Sequence, residues 1–80
     1  MATTYELWET LSNNVIGAYA TEAAALAVVF AQAAGRGKAS VDSWTLLSED
    51  ENEEVTCIAG GHALLELAEK NPPRAQIPVR

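Results

Sequence analysis

The residues from Thr21 to Gly35, TEAAALAVVFAQAAG, constrain the fold of this 80-residue chain more than any other stretch. They predict an α-helix, because most of them are strong helix formers and apolar residues recur at helical spacing. Thr21 can accept hydrogen bonds from the first free backbone N–H groups, and Gly35 can adopt the left-handed conformation that ends a helix. The opposite side of this helix is also apolar, so we expect both sides to be covered.

Strand-like segments precede and follow this helix. Asn13-Asn14 and Asn52-Glu53 predict a tight turn inside each pair of strands. A single long helix through Leu7, Leu11 and Val15 is the alternative for the first pair, and Gly17 argues against it. The predicted strands are Thr3–Leu11, Val15–Ala20, Val41–Ser48 and Val55–Ala59, and a second, amphipathic helix covers His62–Lys70.

The order strand–strand–helix therefore occurs twice. Residues 5–26 superpose on residues 44–65 without a gap at an offset of 39 (44 − 5), so we interpret them as a repeated architectural unit. We predict an α+β domain over residues 1–71, with a four-stranded, mainly antiparallel sheet and both helices on one face. Residues 72–80 contain three prolines and predict an extended or disordered tail.

Two-residue turns at the asparagines would decide which side chains share a face of the sheet. The face beneath the helices would then carry mostly small and aliphatic residues: Leu7, Leu11, Ile16, Ala18, Ala20, Leu46, Val55, Cys57 and Ala59. The opposite face would carry Trp8, Val15, Tyr19, Leu47 and Ile58. Because large apolar side chains on that second face would be exposed in one copy, we predict an interface there, together with Val28 on the outside of the first helix.

Composition argues against several classes of function. Five basic and eleven acidic residues give a net charge of −6, which does not favour nucleic-acid binding. The longest uncharged run, residues 23–35, is shorter than a membrane span, and the first residues lack the features of a signal peptide. The lone Cys57 permits no disulfide within one chain and fits a cytoplasmic protein.

The residues that could carry chemistry do not form a recognisable catalytic or metal-binding pattern. His62 is the only histidine and has no accompanying ligands at fixed spacing, and Cys57 is expected to be an inert core residue. We therefore predict no catalytic residue, no metal and no cofactor. The acidic residues Glu49, Asp50, Glu51, Glu53 and Glu54 lack the spacing of a calcium loop, so we interpret them as a solvated hairpin tip or as a docking surface for a basic partner.

The segment Gly17–Leu26, GAYATEAAAL, resembles the strand-to-helix step of HicB-like antitoxins and related small bacterial domains. The resemblance covers about one helix and the strand before it. Those antitoxins usually have one helix–sheet unit, and many carry a separate DNA-binding segment that this chain lacks. The resemblance implies a role in neutralising a partner protein.

These observations favour a non-enzymatic, acidic protein-interaction module that forms a homo-oligomer, most simply a dimer, through the apolar outer sheet face. An antitoxin-like inhibitor that binds a basic protein is the first alternative. A small-ligand binder or enzyme with a pocket between subunits is the second, with Trp8, Tyr19 or Trp44 lining the pocket.

Overall fold

A computed structural model describes residues 3–71, so the predicted tail at residues 72–80 lies outside the described part of the chain. The predicted α+β class is confirmed, with four strands and two α-helices, and the long-helix alternative for the first region is wrong. The elements in chain order are β1 (Thr4–Glu9), β2 (Asn14–Tyr19), α1 (Glu22–Arg36), a short 3₁₀ helix (Lys38–Val41), β3 (Trp44–Glu49), β4 (Val55–Gly60) and α2 (Gly61–Lys70). None of the helices in residues 3–71 has the length and apolar character needed to cross a membrane.

The start of α1 is the one that the sequence predicts, but its end is not. The Thr21 hydroxyl oxygen accepts a hydrogen bond from the Ala24 N–H at 3.1 Å, as expected of an N-cap. At the other end the helix continues through Gly35 to Arg36, and Gly37 adopts the positive φ of 98°. The Gly37 N–H donates to the Ala33 carbonyl oxygen, so the glycine two residues later terminates the helix.

The predicted strand Val41–Ser48 is wrong at its beginning. Val41 is the last residue of the 3₁₀ helix and is fully buried, and the strand starts only at Trp44. The Ser40 hydroxyl donates to the Gly37 carbonyl oxygen at 2.6 Å, which supports this tight turn. The apolar side chain of Val41 therefore contributes to the core from a helical turn, not from the sheet.

The four strands form one antiparallel sheet in the order β2-β1-β3-β4. Leu7 of β1 lies opposite Leu46 of β3 at the centre, and both are fully buried. Side chains of both α-helices are buried with them in a single cluster, which packs the helices against the face of the sheet that carries Leu7. The cluster consists of Leu7, Ala25, Leu26, Val29, Val41, Trp44, Leu46, Leu64, Leu65 and Ala68.

The centre of the sheet has the local symmetry that the offset of 39 implies. Leu7 and Leu46 are 39 residues apart and face each other across antiparallel strands, so an approximate two-fold axis through this pair relates β1 to β3. The two irregularities follow the same offset, since the ladder shifts between Leu7 and Trp8 in one hairpin and between Leu46 and Leu47 in the other. In each hairpin the additional residue is an isoleucine of the edge strand, Ile16 or Ile58.

The predicted two-residue turns are wrong. Residues 10–13 join β1 to β2, and residues 50–54 join β3 to β4. Each loop contains one residue other than glycine with a positive φ, Asn13 at 59° and Glu53 at 66°. The second loop is one residue longer than the first. β2 is followed by two residues before α1 begins, whereas β4 runs directly into α2. The residues that precede the two helices, Thr21 and Gly60, are therefore again 39 apart.

Each bulge shifts the pairing by one residue, and this moves part of each edge strand to the other face of the sheet. In the first hairpin, Tyr19 pairs with Tyr5 and so shares a face with Leu7, while Ala18 pairs with Glu6 on the opposite face. In the second hairpin, Cys57 pairs with Leu47 and Val55 pairs with Glu49, also on the face opposite Leu46. The predicted positions of Tyr19, Ala18, Cys57 and Val55 are therefore wrong, and those of Trp8, Val15, Leu47 and Ala59 agree with the register.

Candidate functional site: the outer face of the sheet

The outer face is the side of the sheet opposite Leu7 and Leu46, and the described residues leave it uncovered. By register it carries Thr4, Glu6 and Trp8 of β1, Val15 and Ala18 of β2, Thr45, Leu47 and Glu49 of β3, and Val55 and Cys57 of β4. Trp8 and Leu47 are half-buried in its middle, and they are related by the offset of 39. The edge strands expose more, with Val15 53% and Val55 55% accessible. A large apolar surface with polar neighbours is typical of a protein-binding face.

A carboxylate lies in the middle of this apolar surface. Trp8 Nε1–H donates a hydrogen bond to Glu6 Oε1 at 3.0 Å, because residues two apart on a strand point to the same side. Leu47 lies directly across from Glu6 on β3. Glu6 therefore combines a negative charge with an indole ring and an aliphatic side chain in one small area.

Charge is distributed unevenly between the outer face and the helices. Glu49 lies on the outer face at the end of β3, and the acidic loop that follows it extends the negative charge beyond the sheet. Within residues 3–71 the cations are Arg36, Lys38 and Lys70, and all three lie at or just beyond the C-terminal end of a helix. Lys38 Nζ lies 3.1 Å from a carboxylate oxygen of Glu69, so one of these cations is paired within the helical layer.

The acidic loop is organised by Asp50. Its Oδ1 atom accepts hydrogen bonds from the backbone N–H groups of Asn52 at 2.8 Å and Glu54 at 3.0 Å. The backbone of Asp50 also bonds to that of Glu53 and Glu54, which closes the turn. Since Asp50 is used in this way, the exposed carboxylates of Glu51, Glu53 and Glu54 are the ones that face solvent, as at a hairpin tip. Among residues 3–71, no three acidic, histidine or cysteine side chains are grouped so as to hold a metal ion.

Three of the predicted interface residues pack against the buried cluster. Tyr19 lies on the helix side of the sheet, Ile58 is the bulged residue of β4, and Val28 lies on α1; all three are half-buried there. The outer-face positions predicted for Tyr19 and Ile58 are therefore wrong, whereas Trp8, Val15 and Leu47 do lie on that face. Trp44 belongs to the core at 8% accessibility, which removes it from the residues that could line a pocket between subunits.

Neither chemically reactive side chain lies in a catalytic arrangement. Cys57, predicted to be buried, is exposed on the outer face because the β4 bulge lies between it and Ala59. His62 Nε2 lies 3.0 Å from Glu66 Oε2, as an i,i+4 pair on the exposed side of α2. The two residues belong to opposite layers of the domain, so the fold does not combine them into one site.

Sequence reasoning missed a polar cluster around Glu9. Its carboxylate accepts hydrogen bonds from the Ser12 backbone N–H at 2.8 Å and from the hydroxyl groups of Ser12 and Ser43. These bonds, first of all that from the Ser12 hydroxyl, lower the pKa of Glu9 to about 2. The Thr10 N–H and hydroxyl group both donate to the Ser43 carbonyl oxygen, so the cluster ties the first hairpin loop to the beginning of β3. A serine three residues after Glu9 was the only signal in the sequence, and Ser43 could not be placed without the fold.

A shallow groove of about 180 Å³ lies between the two α-helices. Phe30, Ala33 and Leu65 form its apolar lining, and the Lys38–Glu69 ion pair lies at its edge. A catalytic or small-ligand site needs several polar groups that converge on one point, and this groove offers only that ion pair. The outer face is the stronger candidate because it combines exposed aliphatic side chains with an aromatic ring and with a carboxylate that no cation of residues 3–71 neutralises.

Comparisons of this chain with protein-family models, with curated proteins and with solved structures find no match.

Proposed function

We propose that this protein is a non-enzymatic protein-interaction module and that its outer sheet face is the binding surface. The observation that carries the proposal is the position of Trp8 and Leu47, two large apolar side chains in the middle of a sheet face that the described chain leaves uncovered. Full burial of an exposed side chain of this kind is worth roughly 1.5–3 kcal/mol. Trp8 and Leu47 are already half-buried, so a partner that covers both would gain part of this free energy from each. Aromatic residues at the centre of a surface are also the most frequent binding hot spots.

A second copy of this chain is one partner for this surface. Two outer faces packed about a two-fold axis would form a dimer in which Trp8 and Leu47 of each protomer are covered. The register weakens the apolar part of this argument, because Tyr19 and Ile58 pack against the core and do not add to the outer face. A basic partner protein, as an antitoxin-like inhibitor would have, is the second candidate, and the excess of carboxylates near the outer face favours it.

Size-exclusion chromatography coupled to light scattering, at micromolar protein concentration and at low and high salt, tests self-association. A dimer through the outer face must be lost in Trp8→Glu and kept in Phe30→Glu, which alters the groove between the helices instead. Proteins captured from a cell extract by wild type, but not by Trp8→Glu, test binding to another protein, again with Phe30→Glu as the control. Circular dichroism must show that both variants fold. If the two substitutions change self-association and capture equally, or neither changes them, the outer face is not the binding surface.

A further inference from the structure

The charges around the outer face indicate what kind of surface can cover it. Glu6 and Glu49 lie on this face, and the exposed carboxylates of the acidic loop lie just beyond its end. No lysine or arginine from residues 3–71 lies on the outer face, since Arg36, Lys38 and Lys70 belong to the helix ends. A second copy placed face to face would therefore bring carboxylates together without a cation from residues 3–71 to neutralise them, and burial of unpaired charge is costly.

We infer that the outer face binds a cationic amphipathic segment of another protein, with a lysine or arginine of that segment placed on Glu6. This inference rests on the proposed function, because it names the partner of the same surface. Glu6 is suited to this role because its carboxylate is held by the indole N–H of Trp8, 3.0 Å away, and so is positioned before a partner arrives. The cation would contact the carboxylate, and the aliphatic side chains of the segment would cover Trp8, Leu47 and Val15.

The size of the face is consistent with one such segment. Strands of six residues are about 20 Å long, and four strands side by side are about 15–19 Å wide. A helix of about 14 residues has a length close to 20 Å. Its diameter of about 10 Å covers the two central strands, and its side chains can reach the two edge strands. The side of that helix that lies on the sheet would carry apolar residues and one basic residue that contacts Glu6, and basic residues along the border of that side would reach Glu49.

The experiment uses two synthetic helical peptides of about 14 residues. One side of each peptide carries leucines with one charged residue in the middle, and further residues of the same charge follow the border of that side. The charged residues are lysines in one peptide and glutamates in the other. A third peptide has the composition of the lysine peptide in a scrambled order that is not amphipathic. Isothermal titration calorimetry with the full chain measures the affinities. We expect the lysine peptide to bind, with an affinity that falls as salt is added, and the glutamate and scrambled peptides to bind at least about tenfold more weakly.

Two variants that lose the same charge locate the binding. Glu6→Gln keeps an oxygen that can accept the Trp8 N–H, whereas Glu66→Gln makes the same change on the exposed side of α2. We expect about a tenfold loss of affinity for Glu6→Gln and no change for Glu66→Gln. In a Trp44→Phe background, the fluorescence of Trp8 should shift to shorter wavelength on binding. Calorimetry on chains that retain Trp44 makes the result independent of whether that background folds.

The outcomes separate this inference from the proposed function. Equal losses in Glu6→Gln and Glu66→Gln would overturn the inference, because they would show attraction by overall charge alone. A dimer that is lost in Trp8→Glu, strengthened by salt and indifferent to the lysine peptide would also overturn it, yet would leave the outer face as the interaction surface. If wild type neither dimerises, nor binds the peptide, nor captures a protein in a Trp8-dependent way, both proposals are wrong.

Discussion

The two strand–strand–helix halves of this protein agree at the centre of the sheet and differ at its ends. Leu7 and Leu46 are equivalent by the offset of 39, lie opposite each other and are both fully buried. The hairpin loops have no such correspondence. The first loop, residues 10–13, has no charged residue and exposes Leu11 at 86%, whereas the second, residues 50–54, contains four carboxylates.

The two loops also use different side chains to hold their shape. Glu9 lies at the end of β1 and accepts hydrogen bonds from one serine of each half of the chain: Ser12 in the first loop and Ser43 just before β3. Asp50 lies at the beginning of the second loop, and its side-chain hydrogen bonds within residues 3–71 are all made inside that loop. The first loop is therefore connected to the second half of the molecule, and the second loop stands by itself.

This difference suggests how constraint is divided in a small domain. The residues near the approximate two-fold axis must have side chains that fit the core, because each of them is in contact with the other half. The loops are far from the axis and can differ in length and charge without changing the packing at the axis, provided that the pairing of the edge strands adjusts to the difference. The bulges at Ile16 and Ile58 are the places where each edge strand adjusts its register.

The largest effect on stability is expected at Leu7 and Leu46, the equivalent pair at the centre of the sheet. Leu7→Ala and Leu46→Ala should each lower the free energy of unfolding by about 2–5 kcal/mol, since both side chains are fully buried in one cluster. Leu47→Ala is the control in the neighbouring position, and it should cost much less because Leu47 lies half-exposed on the outer face. Urea denaturation of the three variants measures the differences. A Leu47→Ala cost as large as that of Leu46→Ala would contradict the assignment of the two faces.

The two halves also differ at the starts of their helices, because α1 has a side-chain cap and α2 does not. Thr21 accepts the Ala24 N–H, whereas Gly60, its equivalent before α2, has no side chain to do so. Thr21→Ala should lower the free energy of unfolding by about 1 kcal/mol, and Thr21→Ser should keep most of it. Thermal and urea unfolding of the two variants provide the test. An alanine variant as stable as the serine variant would show that the hydroxyl group contributes nothing to α1.

The Glu9 cluster should make the first half sensitive to acid. Hydrogen bonds lower the pKa of Glu9 to about 2, below the ordinary value of 4.5 that it has in the unfolded chain. A lowered pKa in the folded state stabilises the protein above pH 4.5, and this contribution is lost as the pH falls towards 2. Glu9→Gln should therefore be less stable than wild type at neutral pH and approach it near pH 2. Glu51→Gln, which removes an exposed carboxylate of the acidic loop, is the matched control. A difference between wild type and Glu9→Gln that does not depend on pH would contradict this account.

Sequence reasoning predicted the parts of this fold that depend on local pattern. The order of elements and the cap at Thr21 follow from periodicity, helix-capping residues and turn residues. The end of α1 was missed because Gly35 and Gly37 are both able to end a helix, and the carbonyl that accepts the final bond, that of Ala33, decides between them. The sequence predicts Val41 in a strand because β-branched residues favour strands, and nothing local indicates that a 3₁₀ turn holds this residue instead.

The candidate site was predicted only in part, because register is not a local property. The sequence correctly predicts the outer-face positions of Trp8, Val15 and Leu47, but its predictions for Tyr19, Ile58 and Cys57 are wrong. Asn13-Asn14 and Asn52-Glu53 each predict a turn without specifying its length, and a bulge leaves no clear trace in composition. Since a shift of one residue exchanges the faces, each of these small errors moved a side chain from the core to solvent or the reverse. The Glu6–Trp8 contact follows from spacing on β1 alone and could have been found from the sequence.

The smallest expected effect lies in the two loop residues with positive φ, Asn13 and Glu53. Asparagine tolerates this backbone conformation better than other residues that carry a side chain, so the first loop has the better residue for its geometry. Glu53→Asn should raise the free energy of unfolding by a few tenths of a kcal/mol to about 1 kcal/mol, and Asn13→Glu should lower it by a similar amount. Glu53→Gln removes the same charge without improving the backbone preference, so the difference between Glu53→Asn and Glu53→Gln isolates the conformational part. Thermal unfolding at high salt reduces the remaining influence of the neighbouring carboxylates. If Glu53→Asn and Glu53→Gln have equal stability there, charge and not backbone conformation distinguishes the second loop from the first.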